Sequence, residues 1–247
     1  MRLTNVRPVR GTFRHISSVN CPSAMGQPHG KVMIAGRRSK TVAFAAILAL
    51  LTFVATASAQ PADIKAIDEA FQDHYARGNY SAAEIDAQKL ERLAKARFGA
   101  DHPYHAVALN KLGLVYWKQG RYSEAEGLFK RALAIREAAL GANHLDVGQT
   151  LHNLGLVHAA QRKYSEAEGL YKRALAIREK ALGASHPDVG QTLNDLALVY
   201  GAQAKYTDAE GLYKRVLAIL EKALGVSHPD VGRTLNNLAL VYRAQGK

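Results

Sequence analysis

Residues 144–183 read HLDVGQTLHNLGLVHAAQRKYSEAEGLYKRALAIREKALG, and residues 186–225 read HPDVGQTLNDLALVYGAQAKYTDAEGLYKRVLAILEKALG. The two stretches are identical at 29 of 40 positions without a gap, and one begins 42 residues after the other. The same step aligns Gly99, Gly141, Gly183 and Gly225, then His102, His144, His186 and His228, then Tyr80, Tyr122, Tyr164 and Tyr206. A fixed period of this length marks an array in which each unit buries its apolar side against the next. The units run over 60–101, 102–143, 144–185 and 186–227, followed by a half unit at 228–247.

Each unit reads as two helices. In the third, Leu151, Leu154, Gly155 and His158 recur at helical spacing on one stripe, which predicts a first helix over Asp146–Gln161. Pro187 with Asp188, and Pro229 with Asp230, suit a first helical turn, where a missing N–H costs nothing and negative charge is favoured. A second helix begins at Tyr164 after a short turn, with Ala167, Leu170, Tyr171, Ala174, Leu175 and Ile177 on its apolar side. Its start predicts a capping box in every copy: Ser81 with Glu84, Ser123 with Glu126, Ser165 with Glu168 and Thr207 with Glu210. Gly99, Gly141, Gly183 and Gly225 are expected to end it in a left-handed conformation.

These residues resemble the tetratricopeptide repeat. That pattern is carried by Leu109, Leu112, Gly113, Tyr116, Ala125, Phe129 and Ala132, then by Leu151, Leu154, Gly155, His158, Ala167, Tyr171 and Ala174. It continues through Leu193, Leu196, Ala197, Tyr200, Ala209, Tyr213 and Val216. The long repeat and the run Leu235-Asn236-Asn237-Leu238-Ala239-Leu240-Val241-Tyr242 look like the kinesin-light-chain subclass, although nothing in 1–60 supplies that family's heptad coiled coil. The resemblance implies an all-α, α-α superhelix: a solenoid of helix-turn-helix repeats. It also implies that the outward side of each first helix lines a concave groove for peptides.

On that side lie Asn110, Lys111, Leu114 and Trp117, then His152, Asn153 and Leu156, then Asn194, Asp195 and Leu198, then Arg233, Asn236, Asn237 and Leu240. Asparagine amides both donate and accept, as an extended peptide backbone requires. The resemblance assigns that grip to Asn110, Asn153, Asn194, Asn236 and Asn237. The leucine series adds apolar contact between them, and Trp117 is the aromatic of the set.

The composition narrows the remaining choices. The net charge of +12 is concentrated in residues 1–59, which hold eight Lys or Arg and no acid; residues 60–247 carry 25 basic and 21 acidic residues. Their charges are interspersed, which argues against nucleic acid as a partner. The recurring histidines fall one per repeat, too far apart to share a metal ion, and are expected in loops or caps. No phosphate loop, nucleophile elbow or His-Glu-x-x-His run occurs, so the chain reads as a non-enzyme without a cofactor.

Residues 37–59 have the order of a secretory leader: basic Arg37, Arg38 and Lys40, the apolar run 42–54, and Ala57-Ser58-Ala59. Cleavage is expected after Ala59, giving a periplasmic or secreted protein with no remaining membrane span; an uncleaved anchor at 42–59 is the alternative. Residues 1–32 lengthen the basic region beyond need, and Met33 would start a leader of ordinary length.

The expected role is an exported adaptor for a protein or peptide ligand. A structural subunit of an envelope complex, or the regulatory part of a longer truncated protein, is the alternative. The sequence stops before the second helix of its last unit, leaving Leu235, Leu238 and Tyr242 without that cover and open to self-association.

Overall fold

The computed structural model describes residues 62–247, so the leader, its cleavage point, the 42–59 segment and Met33 lie outside the described residues. The described residues form nine α-helices: α1 (Ala62–Ala76), α2 (Tyr80–Phe98), α3 (Pro103–Lys118), α4 (Tyr122–Leu140), α5 (Leu145–Ala160), α6 (Tyr164–Leu182), α7 (Pro187–Ala202), α8 (Tyr206–Leu224) and α9 (Pro229–Gln245). Odd-numbered helices are the first of each repeat and even-numbered helices the second. From α2 onward each helix packs on its neighbours in sequence, and α3, α5 and α7 also touch across one intervening helix. The protein is an all-α solenoid.

The pattern Leu-x-x-Leu-Gly on the first helix meets the aromatic of the second. Phe129 and Tyr171 are fully buried, and each packs closely against a glycine of the preceding helix. A Cβ on Gly113 would stand 2.7 Å from Phe129 Cε1, and one on Gly155 2.6 Å from Tyr171 Cε1. Only hydrogen fits there. The fourth repeat has Ala197 in contact with the cluster of Tyr213 at the corresponding place.

The helix ends depart from expectation in an informative way. The even helices begin at Tyr122, Tyr164 and Tyr206, one residue before the hydroxyl, so Arg121, Lys163 and Lys205 occupy the cap position with no side-chain cap bond. Among the even helices only α2 has a side-chain cap, Asn79 Oδ1 accepting from Ala82 N at 3.2 Å. The capping boxes are therefore not formed. Their glutamates reach instead to the basic residue 37 positions on: Glu84 to Arg121 at 2.9 Å, Glu168 to Lys205 at 2.8 Å and Glu210 to Lys247 at 3.2 Å. Hydrogen bonds from Lys172 and Lys205 hold the Glu168 carboxyl down at about 2.

Gly141, Gly183 and Gly225 have φ of 86° with ψ near 155°, a region open essentially to glycine alone rather than the left-handed helical one. The recurring histidines are the caps of the odd helices: Nδ1 of His144 and of His186 accepts from the backbone N–H two residues on, at 3.2 and 3.1 Å.

The turn that follows each odd helix has a left-handed residue. Glycine fills it at Gly78, Gly120 and Gly246, but Arg162 and Ala204 hold φ of 60°. A side chain costs roughly 1 kcal/mol there. Ala204→Gly should therefore raise the urea unfolding free energy by about 0.5–1 kcal/mol with an unchanged slope.

At the end of the array, Leu238 and Tyr242 pack against Ala209 and Tyr213 of α8. The preceding helix covers them, contrary to expectation, and Leu235 alone of the three is left open, at 49 % exposure.

Candidate functional site

The outward side of the odd helices presents two neighbouring positions per repeat. The first holds Asp68, Asn110, His152, Asn194 and Asn236; the second holds Lys111, Asn153, Asp195 and Asn237. The structure joins the first position of one helix to the second position of the next odd helix, 43 residues on. Lys111 Nζ meets Asp68 Oδ1 at 2.8 Å, Asn153 Nδ2 donates to Asn110 Oδ1 at 3.1 Å, and His152 Nε2 lies 3.4 Å from Asp195 Oδ2.

This cross-linking is what the sequence reading lacked. Asn110 and Asn153 are each 4 % exposed and bonded to one another, and His152 and Lys111 are also buried. Asn194 and Asp195 are half-buried, with Asn194 Nδ2 donating to Asp195 Oδ1 at 3.2 Å. Asn236 is exposed, Asn237 half-buried, and Arg233 pairs with Asp230 of its own helix. The amide series thus changes character along the array, from interlocked to open.

Leucine and aromatic residues form a second row. Leu114, Leu156 and Leu198 are half-buried and Leu240 is 40 % exposed. Three residues beyond each leucine the side chain changes from Trp117 to Ala159 to Gly201. In the second repeat Trp117, with Leu114 and Tyr122, packs against Phe129 and Val157. At the matching place in the fourth repeat there is an apolar notch, walled by Leu198, Gly201, Tyr206 and Leu240, floored by Tyr213 and Val241, with Asn237 at its rim. A Cβ on Gly201 would meet no atom within 4 Å. The indole that closes this place in one repeat is missing from it in the other.

Burial perturbs two charged groups of the face: it lowers the Lys111 ammonium against the pull of Asp68, and it acts more strongly on Asp195. Burial, with Tyr171 and Tyr213 as neighbours, raises its carboxyl to about 7, although the Asn194 amide and the Arg178 guanidinium pull the other way. Arg178 is buried beneath the face, its Nη1 donating to Thr192 Oγ1 at 2.7 Å and to Asp188 O at 3.0 Å. Burial in turn lowers the Arg178 guanidinium. Among the described residues no three His, Cys, Asp or Glu side chains gather as a metal site, and no helix is long and apolar enough to cross a membrane.

Gly201, Tyr206 and Asp68 were missed by the sequence reading. The step from Trp117 to Gly201 was visible in the alignment of copies, whereas Asp68 needed the 43-residue offset that only packing shows.

The profile of the tetratricopeptide repeat matches residues 72–138, 110–180, 146–222 and 188–247. Among solved structures, a single-substitution form of the nearly identical TPR-like repeats of a kinesin light chain from Podosopora anserina is 25 % identical, with a TM-score of 0.64 over 75 % of this chain and 88 % of that one. BtubC (BKLC) from P. vanneervenii is 23 % identical, with a TM-score of 0.58 over 74 % of this chain and 83 % of that one. RapI without ligand shares the fold at 15 % identity, with a TM-score of 0.62 over 74 % of this chain and 64 % of that one. No curated protein matches the chain.

Proposed function

Because the chain belongs to the tetratricopeptide-repeat family, we propose that it is an exported scaffold that holds peptides or extended protein segments along the outward side of its odd helices. The family's repeats are protein-interaction scaffolds, and the non-catalytic reading rests on that likeness. Export rests on the leader at 37–59.

The observation that carries the groove reading is the notch between α7 and α9. Solvent-exposed apolar concavities with a polar rim suit a side chain from a partner. The scaffold itself indicates the size: Trp117 packs at the same place two repeats earlier. Leu240, open at the lip, extends the apolar contact, and the exposed Asn236 and half-buried Asn237 offer both donor and acceptor to a peptide main chain. Asn110 and Asn153 have a different task, that of joining α3 to α5.

A displayed random-peptide library tests this. Peptides that bind the protein should be enriched in a large apolar or aromatic residue. Gly201→Trp, which copies the second repeat, should weaken them about 30–100-fold, the worth of one buried aromatic side chain. Equal binding by the variant, with its helical signal unchanged, would exclude the notch as the point of attachment.

A further inference from the structure

The side of the even helices that faces away from the array follows one rule in three repeats. Position by position, α4 presents Gly127, Lys130, Arg131, Ala134 and Glu137; α6 and α8 repeat these residue types. The charges cancel in pairs. Lys130, Lys172 and Lys214 bond to Glu126, Glu168 and Glu210 of their own helices at 2.6–2.7 Å. Between repeats, Arg173 meets Glu137 at 2.5 Å and Arg215 meets Glu179 at 2.6 Å.

The first repeat breaks the rule in both charge and polarity. Glycine is replaced by Ile85, which is 54 % exposed, alanine by Arg92, and glutamate by Lys95. Lys95 therefore occupies, in the repeat before Arg131, the position where each later arginine finds a carboxylate. The three acids of α2 all turn elsewhere: Glu84 to Gln119 and Arg121, Asp86 to His74 at 2.7 Å, and Glu91 to the buried His105 at 2.8 Å. Lys89, Arg92, Lys95 and Arg131 are all exposed and have no carboxylate partner among the described residues. Helical spacing puts Ile85 and Arg92 along the middle of this face, with Lys89 and Lys95 on either flank.

We propose that the outward face of α2 docks on an anionic lipid surface, with Ile85 entering the acyl boundary while Lys89, Arg92, Lys95 and Arg131 hold the headgroups. An apolar side chain between long-stemmed cations is what a bilayer interface rewards, because the stems bury along the boundary while their charges stay among the phosphates. An acidic polypeptide would be served by the cations alone and gives no reason for an isoleucine standing proud of a helix. The sequence also sets this face in the repeat nearest the apolar run 42–54. This face is separate from the notch, and its role stands whether or not the groove holds peptides.

The test uses the full chain with Cys21→Ser and one new cysteine carrying a polarity-sensitive dye, at Ser81 on this face or at Ser165, its counterpart in the third repeat. Vesicles containing about one-third phosphatidylglycerol should blue-shift the dye at 81 and not at 165, and about 0.5 M salt should reverse the shift. Phosphatidylcholine vesicles should have no effect. The triple variant Ile85→Gly, Arg92→Ala, Lys95→Glu uses only residues that later repeats carry at these positions, and it should lower vesicle affinity at least tenfold. Equal responses at 81 and 165, equal responses to the two lipids, or the same shift from polyglutamate without lipid would each overturn the proposal, the last in favour of an acidic protein.

Discussion

Phe129→Ala is expected to destabilise the array by about 3–5 kcal/mol, the largest single loss available in the second repeat. The ring is fully buried, and it separates α3 from α4 where Gly113 allows closest approach. It also carries the packing of Leu154 and Val157 from the next repeat, so its removal weakens the interface as well as the hairpin. In a solenoid, interface terms hold the units together, and the urea transition should broaden as the first repeats uncouple from the rest. A cycle with Gly113 makes the claim specific. Gly113→Ala alone should cost about 1–3 kcal/mol through collision with the ring. In the Phe129→Ala background the same change should gain roughly 0.5–1 kcal/mol from helix propensity. If Gly113→Ala has the same effect in both backgrounds, the ring does not limit the helix separation.

Asp195→Asn should stabilise the protein at neutral pH and flatten its pH profile. The carboxyl is held at about 7 in the folded chain against an ordinary value of 3.8. Between those values the folded state keeps a proton that the unfolded chain has released, so stability falls as pH rises from about 4 to about 7 and then levels. The full displacement corresponds to roughly 4 kcal/mol. Water reaches the 18 % of the side chain that is exposed and takes back part of it, so a gain of about 1–3 kcal/mol is expected at pH 7.5. The third and fifth odd helices support the choice, since Asn153 and Asn237 occupy the equivalent positions. Thermal denaturation of both proteins from pH 4 to pH 8 provides the check. Parallel profiles would show that this carboxylate is paid for by its neighbours.

Much of this architecture was legible in the residues. The leucine stripe, the small residue opposite the aromatic, the histidine before each odd helix and the glycine after each even one all define local geometry, and local geometry repeats in register with the sequence. Two features escaped because they depend on how one helix sits against another. The Ser-x-x-Glu runs have the spacing of a capping box, but the helix starts at the preceding tyrosine, so the hydroxyl lies inside the first turn and the glutamate points at the next repeat. The outward asparagines looked equivalent because copies were compared at 42 residues. Successive odd helices meet with a one-residue slip, which pairs unlike positions and buries Asn110 against Asn153 while Asn236 stays open.

The glycine joints carry an implication for how such a chain lengthens. Gly141, Gly183 and Gly225 hold nearly the same two backbone angles, and no other residue type tolerates them. A duplicated unit therefore arrives with its bend already set and continues the existing curve without new adjustment. Growth by copying adds to reach while leaving pitch alone, so such a chain can be measured out to the length of what it carries.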